Sequence, residues 1–278
     1  MNGGMETRRL QARQAEISQI KKDKRMMFFF SCLSVGLLLI IWQLVVVLKI
    51  VDTKFLDTPI NVIKMIITKF TVKAPDGGLL MEHIAASLEV IVTGYLIAVI
   101  FAIPLGLFMG WFKLCDRFVR PLFEIIRPIP SIAWIPIIIL FLGIGVEAKA
   151  VIIFFGCFIA ILINTYTGIR LVNPVLVNVA KTCGAKNFTI FWKVGIPSAM
   201  PMIFAGMRIA IGAAWGTVVA AEMLASSKGL GFMIMMGRTY MTVELILSGI
   251  LVIGVLGLLS SALFGLLEDS VLKWRPKR

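Results

Sequence analysis

The chain has 278 residues, 59% of them hydrophobic, and a formal net charge of +13. Its mean hydropathy of +0.96 exceeds that of water-soluble domains, which are about 45–50% apolar even with glycine counted. The charge does not read as nucleic-acid binding, because no basic stripe is interleaved with aromatic residues; basic residues flanking membrane spans account for it.

The apolar residues fall in blocks of about 20 or more without strict alternation, which favours spanning helices over a barrel. The fold class expected is therefore an all-α polytopic membrane protein. Residues 1–25 read as a basic arm. The apolar run 26–48 is longer than a signal-peptide core and has no small-residue cleavage site after it, so it is expected to remain as a first transmembrane anchor. Residues 49–83 form an outer loop. Within it Thr58-Pro59 opens a helix with an apolar stripe of Val62, Ile63, Ile66, Ile67 and Phe70, expected to lie along the membrane surface; a solvated connector is the alternative.

The core, 84–268, carries five further spans at 84–111, about 122–142, 148–169, 202–224 and 245–267, making six in all. The loop 172–200 interrupts the apolar pattern and still reads as ordered. Pro174 suits a first helical turn, and Gly184 suits a left-handed cap. Asn187 is placed to cap a second short helix. There Phe188, Phe191 and Trp192 fall on one face, expected to pack back on the spans. Pro197 and Pro201 are expected to break the chain before the next span. Residues 228–240 are too short to span and read as a re-entrant piece. A basic tail, 269–278, closes the chain.

Lys and Arg in the connections number eighteen on one side and eight on the other. The richer set holds the arm, Lys113, Arg117 and Arg120, the fourth-to-fifth loop (Arg170, Lys181, Lys186 and Lys193) and the tail, so that side is expected to be cytoplasmic, with both termini inside. The four cysteines show no CxxC spacing, His83 is the lone histidine, and no Gly-Lys pair exists for a phosphate-binding loop. No metal, cofactor or catalytic constellation is expected.

The 172–200 loop resembles the so-called EAA loop of binding-protein-dependent ABC transporter permeases through Ala180, Gly184, Ala185 and Ile196-Pro197. The stretches IPLGLFMGW, RPLFEIIRPIPSIAWIPIIILFLGIG, NTYTGIR and GMRIAIGAAWGTVVAAEML are similar to the sulfonate, nitrate and taurine branch. The resemblance implies a type I ABC importer permease of MetI-like fold, not itself an enzyme, in the bacterial cytoplasmic membrane. It implies a cytoplasmic ABC ATPase dimer, an extracytoplasmic substrate-binding protein and a permease homodimer as partners, within the lipid bilayer. The solute implied is a small sulfonate, taurine or nitrate; a thiamine-precursor pyrimidine or a riboflavin-like compound is the alternative. The ATPase-coupling residues carried over are Asn178, Ala180, Lys181, Gly184, Ala185, Lys186 and Pro197. Asn178 stands where the family motif has its Glu, and no role is transferred to Glu89.

Candidates for the pathway or gate are Arg208, Glu222, Pro130, Pro136 and Trp134. Arg208 lies among apolar residues and reads either as a pathway contact or as a snorkelling or acid-paired cation. Glu222 either pairs across a dimer or caps the re-entrant piece, an interfacial carboxylate in water being the plain alternative. Glu124 and Arg127 read as an i,i+3 ion pair. Pro128, Pro130 and Pro136 bend the third span. Gly106/Gly110 and Gly212/Gly216 permit close helix approach within one chain or between two. A secondary transporter would need internal symmetry or several deep carboxylates, and a membrane enzyme would need a convergent polar constellation; neither pattern stands out.

Overall fold

The computed structural model describes residues 3–52 and 55–273. Lys54 and the tail residues Arg275, Lys277 and Arg278 lie outside the described residues, as do the side chains of Arg8, Arg9, Arg13, Lys21 and Lys24. Every long described element is helical, and the chain divides into two compact parts, one ending at Lys64 and one beginning at Met65.

The first part holds α1 (Gly3–Val47) and the start of α2 (Pro59–Thr68). Arm and anchor form one helix with no break between them, because no glycine or proline interrupts the sequence from Met5 to Val35. Lys49 ends the helix in the left-handed region (φ 54°), where the Ile50 N–H reaches Val45 O at 3.1 Å and the Lys49 N–H reaches Val46 O at 3.0 Å. Phe29, Leu33, Leu37, Ile40 and Leu44 of α1 are exposed, as a lipid-facing helix requires. Asp57 Oδ1 accepts from Asn61 Nδ2 at 2.9 Å at the head of α2. The expected stripe divides: Val62 is buried, whereas Ile63, Ile67 and Phe70 are exposed.

The second part is built on α3 (Leu80–Trp111), α6 (Val146–Arg170) and α9 (Ile196–Ala225), with α6 packed against both of the others. Lipid offers helices no hydrophobic drive to associate, so close backbone approach matters. Along α3 the series Gly94, Ala98, Ala102, Gly106 and Gly110 recurs every four residues toward α6. A Cβ on Gly94 would sit 2.5 Å from Ala150 O, and one on Gly106 would sit 2.8 Å from Thr165 Cβ. The Gly106/Gly110 pair is thus a contact within the chain, while a Cβ on Gly212 or Gly216 would meet nothing within 4 Å.

The third expected span is not one helix. It is α4 (Lys113–Ile126), a 3-10 turn at Ser131–Trp134 and α5 (Ile135–Leu142), bent by 82°. Pro128 and Pro130 fall in the break, where neither can donate to a helix, and Pro136 sits in the first turn of α5. Among the described residues, five helices are therefore long and apolar enough to cross a membrane, or six if the bent pair counts as one span.

A second difference lies before α9. Pro197 does not break the chain but occupies the first turn of α9, where its missing N–H has no partner to lose. Pro201 lies inside the same helix. A π turn, Phe191–Gly195, leads into it, with the Ile196 N–H bonded to Phe191 O. The chain continues through α10 (Leu230–Thr239), the short non-spanning piece, to α11 (Val243–Val271).

Candidate functional site

Two polar structures stand out against the apolar helices. The first is the turn formed by α7 (Pro174–Thr182) and α8 (Asn187–Ile190). The Asn173 side chain accepts from the Val175 N–H at 2.9 Å, and Pro174 follows in the first turn. Gly184 adopts φ +78°; its N–H bonds to Lys181 O at 2.9 Å and the Ala185 N–H to Ala180 O at 3.0 Å. These are the two bonds of a Schellman cap. The next helix is capped by Lys186 in extended conformation, and Asn187 is its first helical residue rather than its cap.

Phe191 anchors the turn. It is buried with ring centroids 5.8 Å from Phe108, 5.6 Å from Trp111 and 5.7 Å from Phe112. Phe188 and Trp192, expected on the same packed face, are exposed instead. The π turn widens the spacing on which an i, i+3, i+4 face depends. No residue of α7 is buried, and Val175, Leu176 and Val179 present apolar side chains outward. Asn178, Lys181, Gly184, Lys186 and Pro197 are exposed, while Ala180 and Ala185 are half-buried. A firmly capped helix with an open apolar face is suited to receive a partner protein.

The second structure surrounds the start of α10. Three successive backbone donors there are each taken by a side chain from another helix. The Gly229 N–H donates to His83 Nδ1 at 3.0 Å, the Leu230 N–H to Ser87 Oγ at 2.9 Å, and the Gly231 N–H to Glu222 Oε2 at 2.9 Å. Ser87 in turn donates to Glu222 Oε1 at 2.8 Å. His83 and Ser87 are one helical turn apart on α3 and share a face. The arrangement places a carboxylate at a helix N-terminus, where exposed N–H groups and the helix dipole favour an anion. Gly229 is required twice over: φ is +124°, and a Cβ there would lie 2.3 Å from Glu222 Cδ.

His83 extends the network outward. Because Nδ1 accepts from Gly229, the ring proton sits on Nε2, which faces Asp76 Oδ2 at 3.1 Å. Lys69 is fully buried and donates to Asp76, to Gly78 O at 2.5 Å and to Lys73 O at 3.3 Å. Burial pushes the Asp76 carboxyl up, but hydrogen bonding from His83 and Lys69 and the Lys69 charge outweigh it, leaving the group below the ordinary aspartate value.

The remaining candidates are dispersed. Arg208 pairs with Glu268 of α11 at 3.1 Å. Arg127 and Arg120 pair loosely with Glu124 at 3.9 and 3.8 Å, and all three are exposed. Pro130 adjoins Ser131, whose hydroxyl lies 3.3 Å from Thr217 of α9. Trp134 stacks on Phe155 at 5.3 Å with an interplanar angle of 10°. Sequence reasoning singled out Glu222 but not Ser87, His83, Gly229 or Gly231 as its neighbours; the Gly-Leu-Gly triplet was the available signal. Lys69 is one of the eight basic residues on the poorer side of the charge count, and nothing in its local sequence marks it for burial. Among the described residues no three His, Cys, Asp or Glu side chains converge as metal ligands.

Comparison with known proteins agrees with this architecture. The sequence model of the family described as "Binding-protein-dependent transport system inner membrane component" matches residues 102–273. The taurine transport system permease protein TauC of Escherichia coli (strain K12) is 32% identical over 248 residues, covering 87% of this chain and 89% of that one. The nitrate import permease protein NrtB of Leptolyngbya laminosa is 35% identical over 196 residues, 70% of each chain. In fold, the chain is similar to a structure of the MetNI methionine ABC transporter in an inward-facing conformation, with a TM-score of 0.58 at 19% identity over 72% of this chain and 97% of that one.

Proposed function

The chain belongs to the family of binding-protein-dependent transport system inner membrane components, and we propose from that premise how its two polar structures serve transport. It is a multi-pass permease subunit of an ATP-driven ABC importer. ATP hydrolysis belongs to a separate subunit, and a substrate-binding protein is the other partner the family implies.

The reading of the coupling element is carried by one observation, the Schellman-capped turn at Gly184 with an exposed apolar helix on one side and Phe191 locked among aromatic rings on the other. A lever must be stiff where it is gripped and where it is attached. In this reading the loop 172–200 faces the cytoplasm and the ATPase grips α7 around Asn178, Ala180, Lys181, Gly184, Ala185 and Lys186. Force passes through Phe191 to the inner end of α3, and through Pro197 into α9. Both chain termini lie on that same side. A homodimer completes the pathway, and 84–268 is its transmembrane core. The solute is a small anion of the sulfonate, taurine or nitrate class, in keeping with the relatives' names. Arg208, Glu222, Pro130, Pro136 and Trp134 remain its pathway or gate candidates. Of these, Glu222 acts on the gate by holding the α9–α10 turn to α3.

The test is Gly184→Pro in the reconstituted transporter. Proline locks φ near −65° and lacks the N–H that closes the cap, so the turn at φ +78° must be rebuilt. Uptake is expected to fall at least tenfold while the chain still inserts and the ATPase still hydrolyses ATP. Unchanged uptake would remove the lever.

A further inference from the structure

Two neighbouring cavities flank Phe123 and Leu162 between α4 and α6. One, of about 200 Å³, is partly polar, with Arg120, Arg127, Glu124, Tyr166 and Thr167 in its wall beside Met109 and Ile163. The other, of about 220 Å³, is lined only by apolar side chains, among them Leu105, Phe154, Phe158 and Ile159. Phe123 and Leu162 belong to both walls. A cationic compartment joined edge to edge with an aliphatic and aromatic one has the form of a receptor for an anionic amphiphile. We propose that it holds an anionic phospholipid of the inner leaflet, with the phosphate beside Arg120 and Arg127 and an acyl chain against Phe123, Phe154 and Phe158.

The route of entry selects the bilayer as the source. Leu122 and Ile126 line the apolar cavity and are themselves exposed. They continue an exposed apolar face of α4 made by Leu114, Phe118 and Ile125. The charged residues of α4, Lys113, Asp116, Arg117, Arg120 and Glu124, occupy a different sector of the same helix. The apolar cavity therefore opens toward the surface that lipid covers, and the polar cavity lies on the adjoining charged sector of α4. Glu124 does not cancel the site. Its carboxylate pairs only loosely, 3.8 Å from Arg120 and 3.9 Å from Arg127, and one acid against two bases leaves an excess cation to attract a phosphate. Arg170 lies 5.8 Å over the Tyr166 ring and adds positive charge beside the same wall.

This inference takes its leaflet from the orientation proposed above and nothing from the coupling turn; it is tested on the full chain in phosphatidylcholine vesicles. The probe is a trace of phosphatidylglycerol carrying a photoactivatable group on its acyl chain. Labelling should fall on peptides from α4 and α6 and be competed by unlabelled phosphatidylglycerol, not by phosphatidylcholine. Arg120→Gln with Arg127→Gln should lower labelling about twenty-fivefold, about fivefold for each cation lost; the double lysine variant should recover most of it. Ile159→Trp fills the apolar cavity and should reduce labelling with both arginines present. Both arginines are about half exposed, so the glutamine variant should keep its helical circular dichroism. Equal labelling by a phosphatidylcholine probe, or full labelling in the glutamine or tryptophan variant, would overturn the site. Displacement by soluble octanesulfonate but not by phosphatidylglycerol would overturn the lipid and leave a receptor for a free amphiphile.

Discussion

Glu222 shows how much one side chain can organise in an apolar setting. A buried carboxylate without partners is costly, whereas this one receives a backbone N–H and a hydroxyl. Glu222→Ala strands the Gly231 N–H and the Ser87 hydroxyl and should lower stability in detergent by about 1–3 kcal/mol for each group left unpaired. Glu222→Gln keeps an acceptor oxygen and should lose clearly less, as thermal unfolding of the two variants would show. Equal losses would mean that negative charge, not hydrogen bonding, holds the α10 N-terminus. Glu222 was visible in the sequence as an acid in an apolar run. Its partner Ser87 was not, because it lies 135 positions away, and neither was His83, 146 positions from the Gly229 N–H that it accepts. Arg208 repeats the lesson: the sequence left a pathway contact and an acid-paired cation equally open, and packing of α9 on α11 supplied Glu268.

At the scale of elements, the signals that proved legible were local. Pro174 and Gly184 bracket α7 because cap chemistry acts within one turn. The bend between α4 and α5 was masked by continuous hydropathy across 122–142, although its prolines were in plain view. Proline announces a missing donor but not the angle that follows, which depends on Ser131 seating near Thr217 and Trp134 on Phe155. The segment between α2 and α3 is similarly closed by Lys69, a residue that hydropathy alone assigns to water. Its pairing with Asp76 makes the closure pH-sensitive in one direction. The Asp76 carboxyl titrates below its ordinary value, so the stabilisation is complete at neutral pH and is lost as pH falls below about 4 through the depressed value. Proteolysis of the 69–79 segment in intact vesicles should rise over that acid range, and Asp76→Asn should be cleaved readily at neutral pH as well. A wild-type cleavage rate that is flat with pH would show that the pair contributes nothing.

At the scale of the whole molecule, the small residues of α3 decide how its second part packs. Gly94→Ala would set a methyl 2.5 Å from a main-chain oxygen, which cannot rotate away, so overpacking should cost about 1–3 kcal/mol. Gly212→Ala meets open space and should leave the melting of the single chain unchanged. If the two variants melted alike, the α3–α6 seam would not be the determinant of packing. By itself the sequence determined the membrane class, four of the spans nearly to their ends, the short piece at α10 and the capped turn at α7, along with the family resemblance. Each of these is written in hydropathy summed over about 20 residues or in cap chemistry within a few. Only the tertiary structure decided which glycine pair is a seam, which acid Arg208 meets, where the third span breaks and why Glu222 needs Ser87. Those outcomes depend on contacts between segments far apart in the chain, and a helix carries no local record of the face its neighbours will choose.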